Sequence, residues 1–172
     1  ARAINPLTPL FVKAGEELGY PRNDDFNGPE QAGFGRFQVT QKDGRRWSAA
    51  RAFLDPAKKR DNLHVLTDMR VTRVLIDGGW ATGVEVCDSA GKISTIEASA
   101  EVILAGGAIN SPQLLMLSGV GDREHLAEVG IACLHHAPEV GGNLQDHLDM
   151  TIMVKDRSRQ AIGMSPFFVP RL

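Results

Sequence analysis

Two stretches of this sequence hold residue types that could do chemistry. The first is Val102-Ile-Leu-Ala-Gly-Gly-Ala-Ile-Asn-Ser-Pro112. A compact apolar strand that ends in paired glycines and enters a capped helix brings backbone N–H groups to the strand's carboxyl end, where α/β sheets bind cofactors. Paired glycines also serve plain strand-to-helix packing with no ligand, and both readings stand on these residues alone. The second is Pro138-Glu-Val-Gly-Gly-Asn-Leu-Gln-Asp-His147. Gly141 and Gly142 allow a tight fold there, and Asn143, Gln145, Asp146 and His147 gather polar groups on one short segment. Asp146 beside His147 imitates half of a charge-relay pair, but sequence neighbours seldom face each other in that way. His147 is therefore not expected to be catalytic.

Other candidates carry less. Cys133, His135 and His136 are close in sequence, yet strand alternation would send the two histidines to opposite faces, as surface polar residues rather than metal ligands. No Gly-x-Ser-x-Gly is present, so a hydrolase elbow is not indicated. Gly33-Phe-Gly35 and Gly119-Val-Gly121 lack the third glycine of a dinucleotide fingerprint. Lys42, Arg45, Arg46, Arg51, Lys58, Lys59 and Arg60 are interleaved with acidic residues, the pattern of a solvated charged face. No catalytic residue and no metal site is assigned.

Elements must position these groups. Asn5 as cap, Pro6 at the first turn and apolar Leu7, Leu10, Phe11, Ala14 and Leu18 predict a helix stopped by Gly19. Residues 22–33 read as a loop, 34–40 as a strand, Lys42-Asp-Gly-Arg45 as a tight turn, and 48–54 as a short helix. His64–Asp68 is expected to be a strand, and residues 70–98 a β-meander with turns at Asp77-Gly-Gly79 and Asp88-Ser-Ala-Gly91. Glu101–Ala105 suits a strand buried on both faces. Ser111 with Pro112 would open one helix, and Asp122 would cap a second that ends at Gly130. Ile131–His135 and Leu148–Val154 read as further strands, and Arg157–Leu172 has no clear period.

The bulk arithmetic sets outer bounds. The chain has 172 residues, 19 Lys plus Arg against 21 Asp plus Glu, and 42% hydrophobic residues. That balance argues against a nucleic-acid platform and for a globular protein with material for a core. Aromatics are scarce at 6%, so a broad stacking surface is not expected, while 18 glycines ask for many special backbone positions. No apolar run approaches the roughly 18 residues of a membrane span, and no basic-then-apolar leader opens the chain. A cytoplasmic or peripherally membrane-associated location follows as the expectation. Cys87 and Cys133 are expected to be buried, reduced thiols.

Through Gly107–Gly121, Glu16–Gly28, Gln41–Arg51 and Val140–His147, the sequence resembles the flavin-dependent glucose-methanol-choline oxidoreductases, and among them the choline dehydrogenase-like alcohol dehydrogenases. Gly107-Ala-Ile-Asn-Ser-Pro-Gln-Leu-Leu-Met-Leu-Ser-Gly-Val-Gly121 is similar to that family's second signature. Glu16–Gly28, Gln41–Arg51 and Val140–His147 resemble three further stretches of the same subfamily, in the same order. The resemblance implies a mixed α/β (α+β) fold: part of a glutathione-reductase-type FAD domain containing the meander, interleaved with part of an antiparallel-sheet substrate domain. Residues 1–60 would be substrate-domain, 61–147 FAD-binding, and 148–172 a return to the substrate domain.

It also implies FAD as cofactor, with Val71, Ala105, Gly106, Gly107 and Asn143 as the cofactor-binding residues. Val71 matches a position whose backbone contacts adenine in related enzymes. A small-molecule alcohol would be the substrate, with the rest of the same protein as partner and no nucleic acid. The family's amino-terminal three-glycine fingerprint and its carboxyl-terminal catalytic histidine have no counterpart here, so none of the five histidines inherits that role. An interior, inactive portion of an alcohol-oxidising enzyme is the first reading. A stand-alone, non-catalytic nucleotide-binding or structural domain descended from such an enzyme is the alternative.

Overall fold

A computed structural model describes residues 5–152. The fold is a mixture of helices and small sheets, and the chain divides into two compact units, with boundaries at His64/Val65 and Asp149/Met150.

The first unit begins with helix α1, Leu7–Glu17. The Asn5 side chain accepts a hydrogen bond from the Leu7 amide at 2.9 Å, which satisfies a free donor of the first turn. Gly19 ends the helix in the left-handed region, φ +87°. The face that α1 buries is not the predicted Leu10, Phe11 and Leu18 stripe, all three being exposed; Val12 and Gly15 are buried instead. Gly15 lies so close to the Phe34 ring that a methyl group there would overlap it, and Phe11 and Tyr20 tilt against the same ring at 5.3 Å.

Residues 34–40 do not form the expected strand; only an isolated bridge joins Arg22 to Phe34. The side chains in this segment turn to the loop before it: Phe37 packs on Phe26 at 4.8 Å, and Gln38 donates to the Asp24 carbonyl. The predicted tight turn is present as a two-residue hairpin between β1 (Gln41–Lys42) and β2 (Arg45–Arg46), with Asp43 and Gly44 at φ 50° and 72°. A π-helical turn, Ala50–Leu54, then runs directly into α2, Asp55–Ala57, so the Asp55-Pro56 pair continues the helix where a stop was expected.

The second unit is built on the meander: β3 (Met69–Asp77), β4 (Trp80–Asp88) and β5 (Ile93–Glu97), all antiparallel in the order β3-β4-β5. Gly78 and Gly79, at φ 56° and 84°, make the first hairpin turn as their spacing predicts. Helix α3 (Gly107–Leu117) follows, then β6 (Val120–Gly121), helix α4 (Arg123–Glu128) and β7 (His135–His136), which pairs with β6 in parallel. Val74, Val86 and Leu126 are the buried apolar residues of this unit among the described ones.

His64–Asp68 and Glu101–Ala105 join no ladder among the described residues, Asp68 turning instead into the left-handed region at φ 58°, and Ile131–His135 contributes only its last residue to β7. An apolar run becomes a strand only where a neighbouring edge supplies hydrogen bonds, and among the described residues no strand is hydrogen-bonded to these two in a ladder. Residues 148–152 are likewise outside any ladder; Val154 and the segment Arg157–Leu172 lie outside the described residues. Cys87 and Cys133 are free and half-buried rather than fully buried. No helix among the described residues is long and apolar enough to cross a membrane.

Candidate functional site

The site grows from the register of β3. Val71 pairs with Val86 and Arg73 with Glu85, which leaves Thr72 as an extra residue in a β-bulge. Met69, Arg70, Val71 and Thr72 all border one groove. The Thr72 hydroxyl donates to the Glu85 carboxylate at 2.7 Å, and Arg73 reaches the other oxygen at 2.8 Å. Both bonds favour the ionised form, the Thr72 hydroxyl most, and hold the Glu85 carboxyl below the usual range.

The groove is also lined by the Val102–Ala105 segment and the turn into α3. That helix begins at Gly107, a full turn before the expected Ser111 cap, and Pro112 lies inside it. Ser111 acts as a different kind of brace, its hydroxyl accepting the Gly106 amide at 3.0 Å across the turn. Gly107 sits at φ +85°, and the space a side chain would fill is open. Only glycine takes that conformation without strain while leaving its backbone approachable.

Ser118 locks the two walls together. It is buried, accepts the Val74 amide of β3 at 2.8 Å and donates to the Leu114 carbonyl of α3 at 2.6 Å. The result is a groove of about 920 Å³ bordered by Val71, Thr72, Val84, the 102–106 segment and the inner side of α3. Its lining is chiefly apolar, with the polar side chains of Arg70, Asn110, Ser111 and Gln113 at intervals, the make-up of a small-molecule site.

Of the predicted site residues, Val71, Ala105 and Gly106 come together on this groove and Gly107 adjoins them. Asn143 is not in the lining; it is exposed at φ +51°, its side-chain oxygen accepting a bond from Gln145 at 3.1 Å. His147 is exposed, and its backbone amide bonds to Asp146. Sequence reasoning missed Thr72, Asn110 and Gln113. The β-bulge at Thr72 has no sequence signal, whereas Asn110 and Gln113 stand one helical turn apart on a helix that begins before the expected Ser111 cap.

Set beside solved structures, the chain is similar in fold to an FAD-dependent oxidoreductase from Chaetomium thermophilum, with a TM-score of 0.64 and 30% identity over 77% of this chain and 23% of that one. A family model described as GMC oxidoreductase matches residues 1–149, and the chain belongs to that family. Relatives include an alcohol dehydrogenase [acceptor] of Pseudomonas putida, 50% identical over 98% of this chain and 31% of the relative. The mitochondrial choline dehydrogenase of Homo sapiens is 49% identical over 86% of this chain and 25% of its own length. The chain thus spans between a quarter and a third of these relatives.

Proposed function

We propose that this chain is a segment of an FAD-dependent alcohol dehydrogenase or oxidase, and that the groove between β3 and the Ala105–Gly107 turn receives part of the FAD. The observation that carries this is the convergence of Val71, Ala105 and Gly106 from distant points of the chain onto one groove of about 920 Å³. The residues fit such a group. Gly107 leaves an open, side-chain-free approach to the backbone at the start of α3, and the walls offer apolar contact for a flat ring system.

In this reading the Val71 backbone lies against the adenine, and Ala105, Gly106 and Gly107 pass beside the cofactor. Asn143 is assigned to the cofactor by the family resemblance alone. Bound FAD supplies the hydride acceptor for a CH–OH donor, a choline-like or other primary alcohol. The chain's own residues orient the cofactor and form part of the substrate wall, and none of them is assigned as the base. Residues 61–147 then belong to the FAD-binding domain, and 1–60 with 148–172 to the substrate domain. The division of the chain at His64/Val65 and Asp149/Met150 supports that arrangement. The remaining parts of the same protein are the partner, and the chain alone is expected to be inactive.

Titration of the chain with FAD, followed by quenching of flavin fluorescence, tests the groove. Saturable quenching that weakens in Gly107→Val is expected, because the new side chain fills the open approach. A response identical in the two proteins, or none in either, overturns the assignment. Sustained dye reduction on adding choline overturns the expected inactivity.

A further inference from the structure

The structure assigns a second site to the first unit: we propose that the β1–β2 hairpin and the π-helical turn after it form a receptor for a small phosphate monoester on a flat organic group. This rests on nothing in the flavin reading. Lys42, Arg45 and Arg51 line one concavity of about 900 Å³ together with Trp47, and Arg45 and Arg51 also border an adjoining hollow with Arg46 and Ser48. None of these four cations is in an ion pair among the described residues. Of the two carboxylates on the rim, Asp55 is already held by Lys58 at 3.1 Å, which leaves only Asp43 at the hairpin tip against Lys42, Arg45 and Arg51 there and Arg46 in the adjoining hollow. Unpaired cations crowded into ten residues repel one another, and an anion relieves that repulsion.

The backbone holds this cluster in place. Asp43 and Gly44 fix the hairpin in a tight turn, and the Trp47 amide donates to the Thr40 carbonyl at 3.0 Å at its open end. The Arg51 guanidinium reaches the Arg46 carbonyl at 3.4 Å, and its amide reaches the Ser48 hydroxyl. The π-helical turn Ala50–Leu54, closed by the Asp55 amide on the Ala50 carbonyl, carries Arg51. Such turns are rare and concentrate at functional sites.

The ligand class follows from the donors. Guanidinium forks match phosphate oxygens in bidentate fashion, which favours phosphate over a single carboxylate. Trp47 is half-buried with the Lys42 ammonium 4.8 Å from its ring centre, and so adds a flat apolar wall beside the charge. An inorganic ion would leave that wall unused, whereas an aromatic phosphate would engage both.

The test uses this chain with inorganic phosphate and phenyl phosphate as probes, read by residue-resolved NMR at constant ionic strength made up with chloride. Saturable shifts confined to residues 42–55 are expected, with phenyl phosphate the tighter ligand. Arg45→Ala with Arg51→Ala should weaken it by roughly tenfold or more, from the loss of two forked contacts. Lys13→Ala, on helix α1 and outside the lining of both hollows, should leave it unchanged. Unsaturable or scattered shifts overturn the proposal, and so does equal affinity in the double variant with its amide spectrum otherwise preserved. Co-sedimentation with phosphatidic-acid vesicles without a saturable phenyl phosphate response overturns it in favour of a lipid surface.

Discussion

The two units of this chain hold their shape by different means. In the second, the described core is apolar: Val74 and Val86 from the meander and Leu126 from α4 are buried, and Leu126 is fully so. In the first, Val12 is the buried apolar residue among those described, and a polar side chain, Asn23, does the central work. Its amide nitrogen donates to the carbonyls of Glu30 at 2.7 Å and Ala32 at 3.2 Å, and its oxygen accepts the Asp25 amide at 2.9 Å. Its backbone amide meets the Phe34 carbonyl at 2.8 Å. Packing is non-directional and tolerates local change, while a hydrogen-bonded hub fixes one loop conformation and fails when one partner goes.

The comparison is most exposed to truncation of Leu126. Leu126→Ala should cost about 2–5 kcal/mol, the range for a large-to-small change at a fully buried position. Chemical denaturation should show the loss, and hydrogen exchange should confine it to residues 65–149. The matching change in the first unit, Val12→Ala, removes less volume and should cost less. If Val12→Ala costs as much, the first unit is held by packing after all.

Ser118→Ala sharpens the same point at the groove. The hydroxyl serves the Val74 amide and the Leu114 carbonyl, and leaving a buried amide unpaired costs about 1–3 kcal/mol. The effect should reach function: with β3 and α3 unlinked, FAD affinity should fall together with exchange protection at Val74. Unchanged protection at that amide would show that water replaces the hydroxyl and that packing alone sets the groove.

Asn23→Ala probes the polar hub. It removes the hub's bonds to Glu30, Ala32 and Asp25 in one step, and a loss in the lower part of that same range, about 1 kcal/mol, is expected because the loop borders solvent. Proteolysis within residues 24–33 should rise well before the rest of the chain is cut. Asn23→Asp keeps the acceptor but not the donors and should give an intermediate rate. Uniform cleavage along the chain would mean that the loop has no separate stability.

What the sequence reveals follows the same divide. The meander was legible because period-two alternation and the Gly78-Gly79 turn are local signals, and α4 because Asp122 offers a cap and Gly130 a stop on either side of Leu126 and Val129. The 34–40 segment alternates just as well, yet its Phe37 and Gln38 answer to Phe26 and Asp24, contacts that no periodicity encodes. Glu101–Ala105 has strand composition but no edge to pair with among the described residues. At the site, the paired glycines pointed to the turn, whereas the Thr72 bulge and the Ser118 link depend on register and on tertiary approach. The cation cluster was readable as residues but not as a concavity, because the hairpin and the π-helical turn bring the charges together.

The smallest expected effect lies where the two means of holding shape meet. Helix α4 is anchored by Leu126, but its first turn is held by a charge: the Asp122 carboxylate accepts the amides of His125 at 2.9 Å and Glu124 at 3.0 Å. Those bonds, the His125 amide foremost, hold its pKa below the ordinary aspartate value; partial desolvation opposes them, and the nearby His136 and His125 side chains assist. A carboxylate with a depressed pKa contributes stability that is fully present above its unfolded value of about 3.9 and is lost as pH falls through the lower folded value. Acid should therefore loosen the Glu124 and His125 amides below about pH 4 while the Leu126 amide stays protected. Asp122→Asn keeps a neutral acceptor and should remove this pH dependence without opening the turn. Asp122→Ala should expose both amides at every pH. If acid instead releases Leu126 at the same point, the cap and the core act as one, and the division between packing and polar anchoring does not extend to α4.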